Sequence, residues 1–358
     1  MQMQPHFGEE ETNALTKYMS DGGFLTEFKK TEIFENMLKD FTGAKHCIVT
    51  NSGTVSLTLA ALALDLKPGD EVIVPNYTMI ATPNSINMVG IVPVFVDVEP
   101  ETLCLDLEKV NSAVNKRTKA IILVSANGRY PKKDILEFKK LALIKNLYLI
   151  EDAAQSLGSF YPNGKHIGTV GDIGCFSFST PKIISTGQGG ALVTDDDKLA
   201  KKIKKLKDFG RSMGGNDLHE TIGFNFKFTD LQAVVGIEQM KKLPARLIRK
   251  KKIWQLYEEK LANVKQIKLF NHNLDHTSPW FIDSIVDDRE RLAAYLKENQ
   301  IGTRLMYPPI NEQVAYKVPG SHPVSKAIGS NGLWLPSMIQ ISDKQIDYIT
   351  NTIKNFYN

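Results

Sequence analysis

Residues 46–64, HCIVTNSGTVSLTLAALAL, decide how this chain folds. His46–Thr50 is a short apolar run of the kind that forms a strand. Asn51-Ser52-Gly53-Thr54 comes next, a turn-forming cluster that also offers a hydroxyl as a helix N-cap. Val55–Leu64 then reads as a helix. Strand, glycine turn and helix in direct succession are the opening half of a βαβ unit.

The same rhythm repeats on either side. Short apolar runs at Glu71–Val74, Val92–Val98, Ala120–Val124 and Leu147–Glu151 alternate with amphipathic stretches at Met79–Val89, Leu105–Val114 and Lys133–Lys145. The strands are apolar throughout rather than alternating, as in a sheet covered by helices on both faces. A largely parallel α/β sheet is predicted. Two more strand-like runs, Ile173–Phe178 and Gly190–Thr194, extend it. From about Asp197 the pattern turns helical, with Thr229–Met240 and a long stretch from Pro244 to about Ala262. Pro279–Val286, a helix at Asp288–Asn299 and a closing helix at Asp343–Phe356, N-capped by Ser342, complete the chain. The expected division is a large domain over residues 1–243 and a smaller C-terminal α/β domain over 244–358, hinged on the long helix.

Composition narrows the function classes. A chain of 358 residues is long enough for two packed domains. Its 44 basic and 40 acidic residues nearly balance, so neither a nucleic-acid groove nor an anionic membrane is called for. The lysine runs Lys201, Lys202, Lys204, Lys205 and Lys207, and Lys250–Lys252, are expected to be solvated helix faces. Cys47, Cys104 and Cys175 are odd in number and lack CxxC spacing, which argues against a disulfide framework or a metal site. The start has no leader pattern, and no apolar run nears the ~18 residues of a membrane span. A reducing, cytoplasmic setting is expected.

Chemistry belongs at the carboxyl ends of strands in an open parallel sheet. The turn Ser52-Gly53-Thr54 opens a helix there, and its free N–H groups suit a phosphate, although such turns are often only caps. Asp152, in Glu151-Asp152-Ala153-Ala154-Gln155, could pair with a pyridinium N–H or merely cap the next helix. Lys182 stands on a short loop between two apolar strands, ahead of Gly187-Gln188-Gly189-Gly190. A desolvated lysine loses part of its basicity and becomes a Schiff-base nucleophile. Alone, each is ambiguous. Phosphate cup, acidic strand end and lysine, in that order, suit pyridoxal phosphate (PLP), whose phosphate, ring nitrogen and aldehyde need three partners.

On these residues the sequence resembles the DegT/DnrJ/EryC1/StrS sugar aminotransferases, PLP enzymes of fold type I. The likeness extends from Gly22-Gly23-Phe24-Leu25-Thr26 through Gly69-Asp70-Glu71-Val72-Ile73-Val74-Pro75, Glu151-Asp152-Ala153-Ala154-Gln155 and Thr186-Gly187-Gln188-Gly189-Gly190. It closes with Tyr307-Pro308-Pro309 and Gly332-Leu333-Trp334-Leu335-Pro336-Ser337. The resemblance implies a mostly parallel seven-stranded sheet and an internal aldimine on Lys182. It implies that Asp152 pairs with the ring nitrogen and Gln155 bonds the phenolic oxygen. Ser52, Gly53, Thr54 and Ser177 would hold the phosphate, joined by Asn225 of a partner subunit, so that a homodimer shares its active sites. The substrates implied are an amino-acid donor, glutamate, and a nucleotide-linked keto sugar, with the closing segment most like perosamine-type enzymes acting at C4. A 3-keto sugar is the alternative, and a catalytically silent PLP-fold binding protein is a further one.

Several positions depart from the family. Met79 stands where an aromatic usually stacks on the cofactor, Gln188 where Glu is common, and Asn127 and Arg129 where histidine and tyrosine are usual. The last two point either to a different substrate environment or to a plain loop substitution. Arg304, Lys227 and Arg211 are candidates for the substrate's pyrophosphate. The resemblance ranks Gly22–Thr26 and Tyr307–Asn311 ahead of them as sugar-nucleotide contacts. Relatives that dehydrate the sugar carry histidine in place of Lys182. A nucleotide-sugar epimerase or dehydrogenase would need a Gly-x-Gly-x-x-Gly turn after the first strand, which the N-terminal third lacks.

Overall fold

Two helices that the strand rhythm does not announce precede the first strand. In the computed structural model, which describes residues 2–212 and 217–358, they are α1 (Glu9–Ser20) and α2 (Lys29–Thr42). Helix α2 buries Thr31, Phe34, Leu38 and Thr42, a spacing of three and four that defines one face. It ends at Gly43, whose φ of 75° is the left-handed cap that glycine adopts without strain.

The expected alternation comes after them: β1 (His46–Thr50), α3 (Gly53–Ala63), β2 (Glu71–Pro75), α4 (Ala81–Asn87), β3 (Val92–Val96), α5 (Leu107–Ala113), β4 (Thr118–Val124), α6 (Ile135–Lys145) and β5 (Tyr148–Asp152). Strands β6 (Ile173–Ser177) and β7 (Gly190–Thr194) and helix α7 (Asp197–Lys207) complete this part. Strands β1 and β7 coincide with the sequence reading, and the other boundaries differ from it by no more than two residues. Asp106 and Asp134 accept from backbone N–H groups and so hold the starts of α5 and α6 at Leu107 and Ile135.

The seven strands lie in the order β1-β7-β6-β5-β4-β2-β3. All are parallel except β7, which runs antiparallel between β1 and β6. This reversal sets up the site. Gly190, the first residue of β7, is level with both Thr50 and Ser177. A Cβ there would lie 2.5 Å from the Ser52 carbonyl, so only glycine lets the ends of β1 and β6 close over it.

After α7 comes α8 (Asp230–Leu261), a single helix of 32 residues, roughly 48 Å long at 1.5 Å per residue. The sequence pattern predicts a break before Pro244. Instead Pro244 lies inside, at the cost of one main-chain hydrogen bond, while Met240 and Leu243 stay buried. The chain continues through β8 (Ile267–Leu269), β9 (Ile282–Val286), α9 (Arg289–Glu298), β10 (Arg304–Leu305), α10 (Pro323–Asn331), β11 (Gly332–Leu335) and α11 (Asp343–Tyr357). These four strands form an antiparallel sheet ordered β10-β11-β9-β8. Its core includes Ile253, Tyr257 and Leu261 of α8, Leu292 and Leu296 of α9, and Ile346 and Ile353 of α11. Ser342 caps α11, with Gln345 completing a reciprocal capping box.

The lysine runs are not uniformly solvated. Lys207 is buried, 2.9 Å from Glu27, and Lys250 is 1% exposed. Each lies on the inward face of its helix, which the charge pattern alone conceals. Among the described residues no helix is long and apolar enough to cross a membrane.

Candidate active site

The ends of β1 and β6 meet at the start of α3. Ser52 caps that helix, its Oγ accepting from the Val55 N–H at 3.3 Å. Gly53 opens the first turn so close to Ser177 that a Cβ on it would lie 2.8 Å from the Ser177 Cβ. The first N–H groups of α3 and the Ser177 hydroxyl thus lie around one spot. Unpaired N–H groups and the positive helix end make that spot fit a phosphate. Asn51 Oδ1, buried beside it, has no hydrogen-bond partner among the described residues.

Asp152 is the last residue of β5 and is 6% exposed. Its carboxylate accepts from the Thr82 hydroxyl at 2.7 Å and from the Ala154 N–H at 3.2 Å. Because Thr82 spends its proton on Asp152, the 2.9 Å contact with Thr78 has Thr78 donating. Burial raises the Asp152 carboxyl above the ordinary range, opposed by Thr82, Ala154 and the positive charge of Lys182. A carboxylate has about four lone-pair sites, so a further donor, such as a ring N–H, can still be accepted.

Lys182 is half-buried on the loop between β6 and β7, its Nζ 3.9 Å from the centre of the Trp280 ring. Burial first, and then Arg304, lower its pKa to about 8, while Asp152 acts in the opposite direction. The Trp280 Nε1–H donates to the Pro181 carbonyl at 2.7 Å, and its ring stacks on Phe281 with centres 3.8 Å apart. Ser177, Lys182 and Trp280, with Ala154, Gln155 and Ile183, line one small cleft. Tyr307 stands edge-on to Trp334 at 4.7 Å and is pushed up to about 12, mainly by burial.

The remaining predicted residues fall into two groups. Gln155 lies in that cleft, with its Oε1 accepting from the Asn127 N–H at 2.7 Å. Met79 precedes α4 and is 42% exposed, free to pack on a planar ligand. Asn225 is exposed, and the neighbouring Phe226 carbonyl accepts from the Asn51 N–H at 3.3 Å. Asn127 and Arg129, by contrast, are engaged in the framework. Asn127 has a φ of 55° and exchanges hydrogen bonds with both the N–H and the carbonyl of Phe281. Arg129 forms a bidentate pair with Asp283 at 2.6 and 3.1 Å, both side chains buried. These two join the large sheet to the second one. Of the basic candidates, Lys227 and Arg211 are both paired with Asp208. Arg304 has no carboxylate partner among the described residues and lies 5.4 Å over the Trp334 ring. Thr78, Thr82 and Trp280 carry no mark in the sequence, where a threonine four residues from another gives no signal of its own.

A phosphate cup, a buried acid with spare accepting capacity and a lysine of lowered basicity at one end of a parallel sheet fit an aminotransferase site, and the relatives of this chain are aminotransferases. The model of the DegT/DnrJ/EryC1/StrS aminotransferase family matches residues 5–354, and the chain belongs to that family. The GDP-perosamine synthases of Escherichia coli O157:H7 and Vibrio cholerae are 32% and 33% identical to it over 359 and 365 residues, each covering 99% of this chain and 98% of theirs. A Streptococcus pneumoniae protein solved in a PLP form superposes with a TM-score of 0.92 at 26% identity, covering 99% of this chain and 97% of the other.

Proposed function

We propose that the protein transfers an amino group from glutamate to C4 of a nucleotide-linked 4-keto-6-deoxy sugar, with PLP as cofactor and two copies sharing their sites. The supporting observation is the meeting of Lys182, Asp152 and the Gly53–Ser177 cup at one end of the sheet. Full-length likeness to GDP-perosamine synthases supports the sugar and the position.

When bound, PLP supplies an electron sink conjugated to the carbon that loses its proton. The chain supplies the rest. The α3 N–H groups from Gly53 and Thr54, the Ser52 turn and the Ser177 hydroxyl hold the phosphate, together with Asn225 from a second copy. Asp152, ionised with help from Thr82 and Ala154, pairs with the ring N–H, and Gln155 faces the phenolic oxygen. Met79 packs on the ring. Lys182, with a pKa near 8, is partly unprotonated at neutral pH, so its Nζ can take a proton from one carbon and return it to another. A fully basic lysine would spend almost all its time protonated and unable to do so.

The test uses the purified protein reconstituted with PLP. A visible absorbance band should appear and be bleached by glutamate. A panel of nucleotide-linked 4-keto and 3-keto sugars should then restore it, with the amino sugar identified by mass spectrometry. A protein that stays colourless in excess PLP would sink the reading, and restoration by the 3-keto sugars alone would move the reaction to C3.

A further inference from the structure

Helix α8 carries a buried polar stripe that faces the lysine loop. Gln239, Arg246 and Lys250 are spaced seven and four apart and so share one face. Gln239 Oε1 accepts from the Ser185 N–H at 3.2 Å, and Arg246 donates to the Ile183 carbonyl at 2.8 Å. Ile183 is the residue next to Lys182. Lys250 reaches further: its Nζ donates to the carbonyls of Trp280 and Ser337, both at 2.6 Å.

Lys250 is the unusual member. It is 1% exposed, pairs with no carboxylate among the described residues, and has the Phe281 ring 6.0 Å away. An apolar side chain of equal length would avoid the desolvation of an amine. What the amine gains is position. It ties together a segment leading into β9 and one leaving β11, and the first contains Trp280. The Trp280 ring lies under the Lys182 amine, and its N–H holds the carbonyl of Pro181, the residue just before Lys182. A neutral or a charged Lys250 amine can donate both bonds, so the arrangement holds although burial lowers its pKa to about 7.

We propose that Lys250 is a positioning residue: by holding the Trp280 carbonyl it fixes the indole against which Lys182 rests, and so sets the reactivity of that amine. The inference builds on the proposed function, but its first test does not need the cofactor. In the PLP-free protein, reductive methylation with formaldehyde and borane, tracked residue by residue by mass spectrometry, gives the pH profile of Lys182. Asp152 and Arg304 are the charged groups that act on Lys182 directly, and both stay unchanged in the variants. Lys250→Met should move the profile up from about 8 by about 1 pH unit, toward ordinary lysine, as the amine gains water. Lys250→Gln, which keeps a donor, should move it less, and Trp280→Phe should move it like Lys250→Met.

With PLP bound, Lys250→Met should slow bleaching by glutamate about tenfold, as expected for a displaced reacting group, with KM for the keto sugar unchanged. A Lys182 profile that stays put in both Lys250 variants while their thermal stability falls would reduce Lys250 to a structural role. If Trp280→Phe leaves the profile unmoved, the route through the indole is wrong. Should Lys250→Met not fold, Lys250→Gln and Trp280→Phe are read in the same way. If the unmodified protein takes up no PLP, the aminotransferase reading fails, while the methylation profiles still decide the role of Lys250.

Discussion

At the scale of single residues, the proposed mechanism depends on keeping a buried carboxylate ionised. Asp152 has its carboxyl raised by burial, and the Thr82 hydroxyl is the strongest influence opposing that. Thr82→Val removes the donor, so the carboxyl rises further. In the proposed mechanism the ionised form does the work, so activity is lost as pH falls through this group, and that acid limb should move to higher pH. We expect kcat on the acid limb to drop about tenfold, with recovery at higher pH and with Thr82→Ser retaining most of the wild-type profile. An unshifted acid limb in kcat against pH would separate Thr82 from Asp152. Asp152 is legible as a candidate because an apolar strand ends there in an acid, and Lys182 because it stands on a loop between two apolar strands. Thr82 is not, since its importance comes from a contact 70 positions away in sequence. Lys250 misleads outright, because a run of three lysines says nothing about which of them points inward.

At the scale of elements, capping residues mark the well-predicted boundaries. Ser342 is legible as the start of the last helix, where the reciprocal bond with Gln345 is found. Ser342→Ala should lower stability by ~1 kcal/mol, read as a reduced urea midpoint, with turnover unchanged because α11 lies outside the site. Elements without such punctuation escape a reading by pattern. The two residues of β10 are too few to show a period. Helix α1 carries Glu9, Glu10 and Glu11 in its first turn, an available helix-start signal that a strand-led reading passes over. Pro244 misleads in the opposite direction. A proline normally starts or stops a helix, but here α8 packs against α1, α2 and α11, and those contacts carry it through.

At the scale of the whole molecule, Arg129 and Asp283 join the end of the large sheet to the second sheet through a buried pair. Arg129→Met should leave the Asp283 charge unpaired and cost about 3–5 kcal/mol, visible as a lowered thermal midpoint. Adding Asp283→Leu should recover part of that loss. The proposed sharing of sites is tested by subunit mixing. Lys182→Ala and Asn225→Ala proteins, each weak alone, should regain activity when dissociated and combined, since one site of the mixed pair is then intact. No gain on mixing would make each copy self-sufficient. The sheet's parallel plan is legible because its strands are apolar throughout, whereas the backward course of β7 is not, for direction leaves no trace in composition. That reversal bears on how the chain is made. Among the described residues strand β1 pairs with β7 alone, and β7 leaves the ribosome about 140 residues later, a wait of roughly ten seconds or more at ordinary synthesis rates. Until then residues 46–50 are an unpaired apolar edge, so translation pauses between the two should promote aggregation of the nascent protein more than pauses after residue 194.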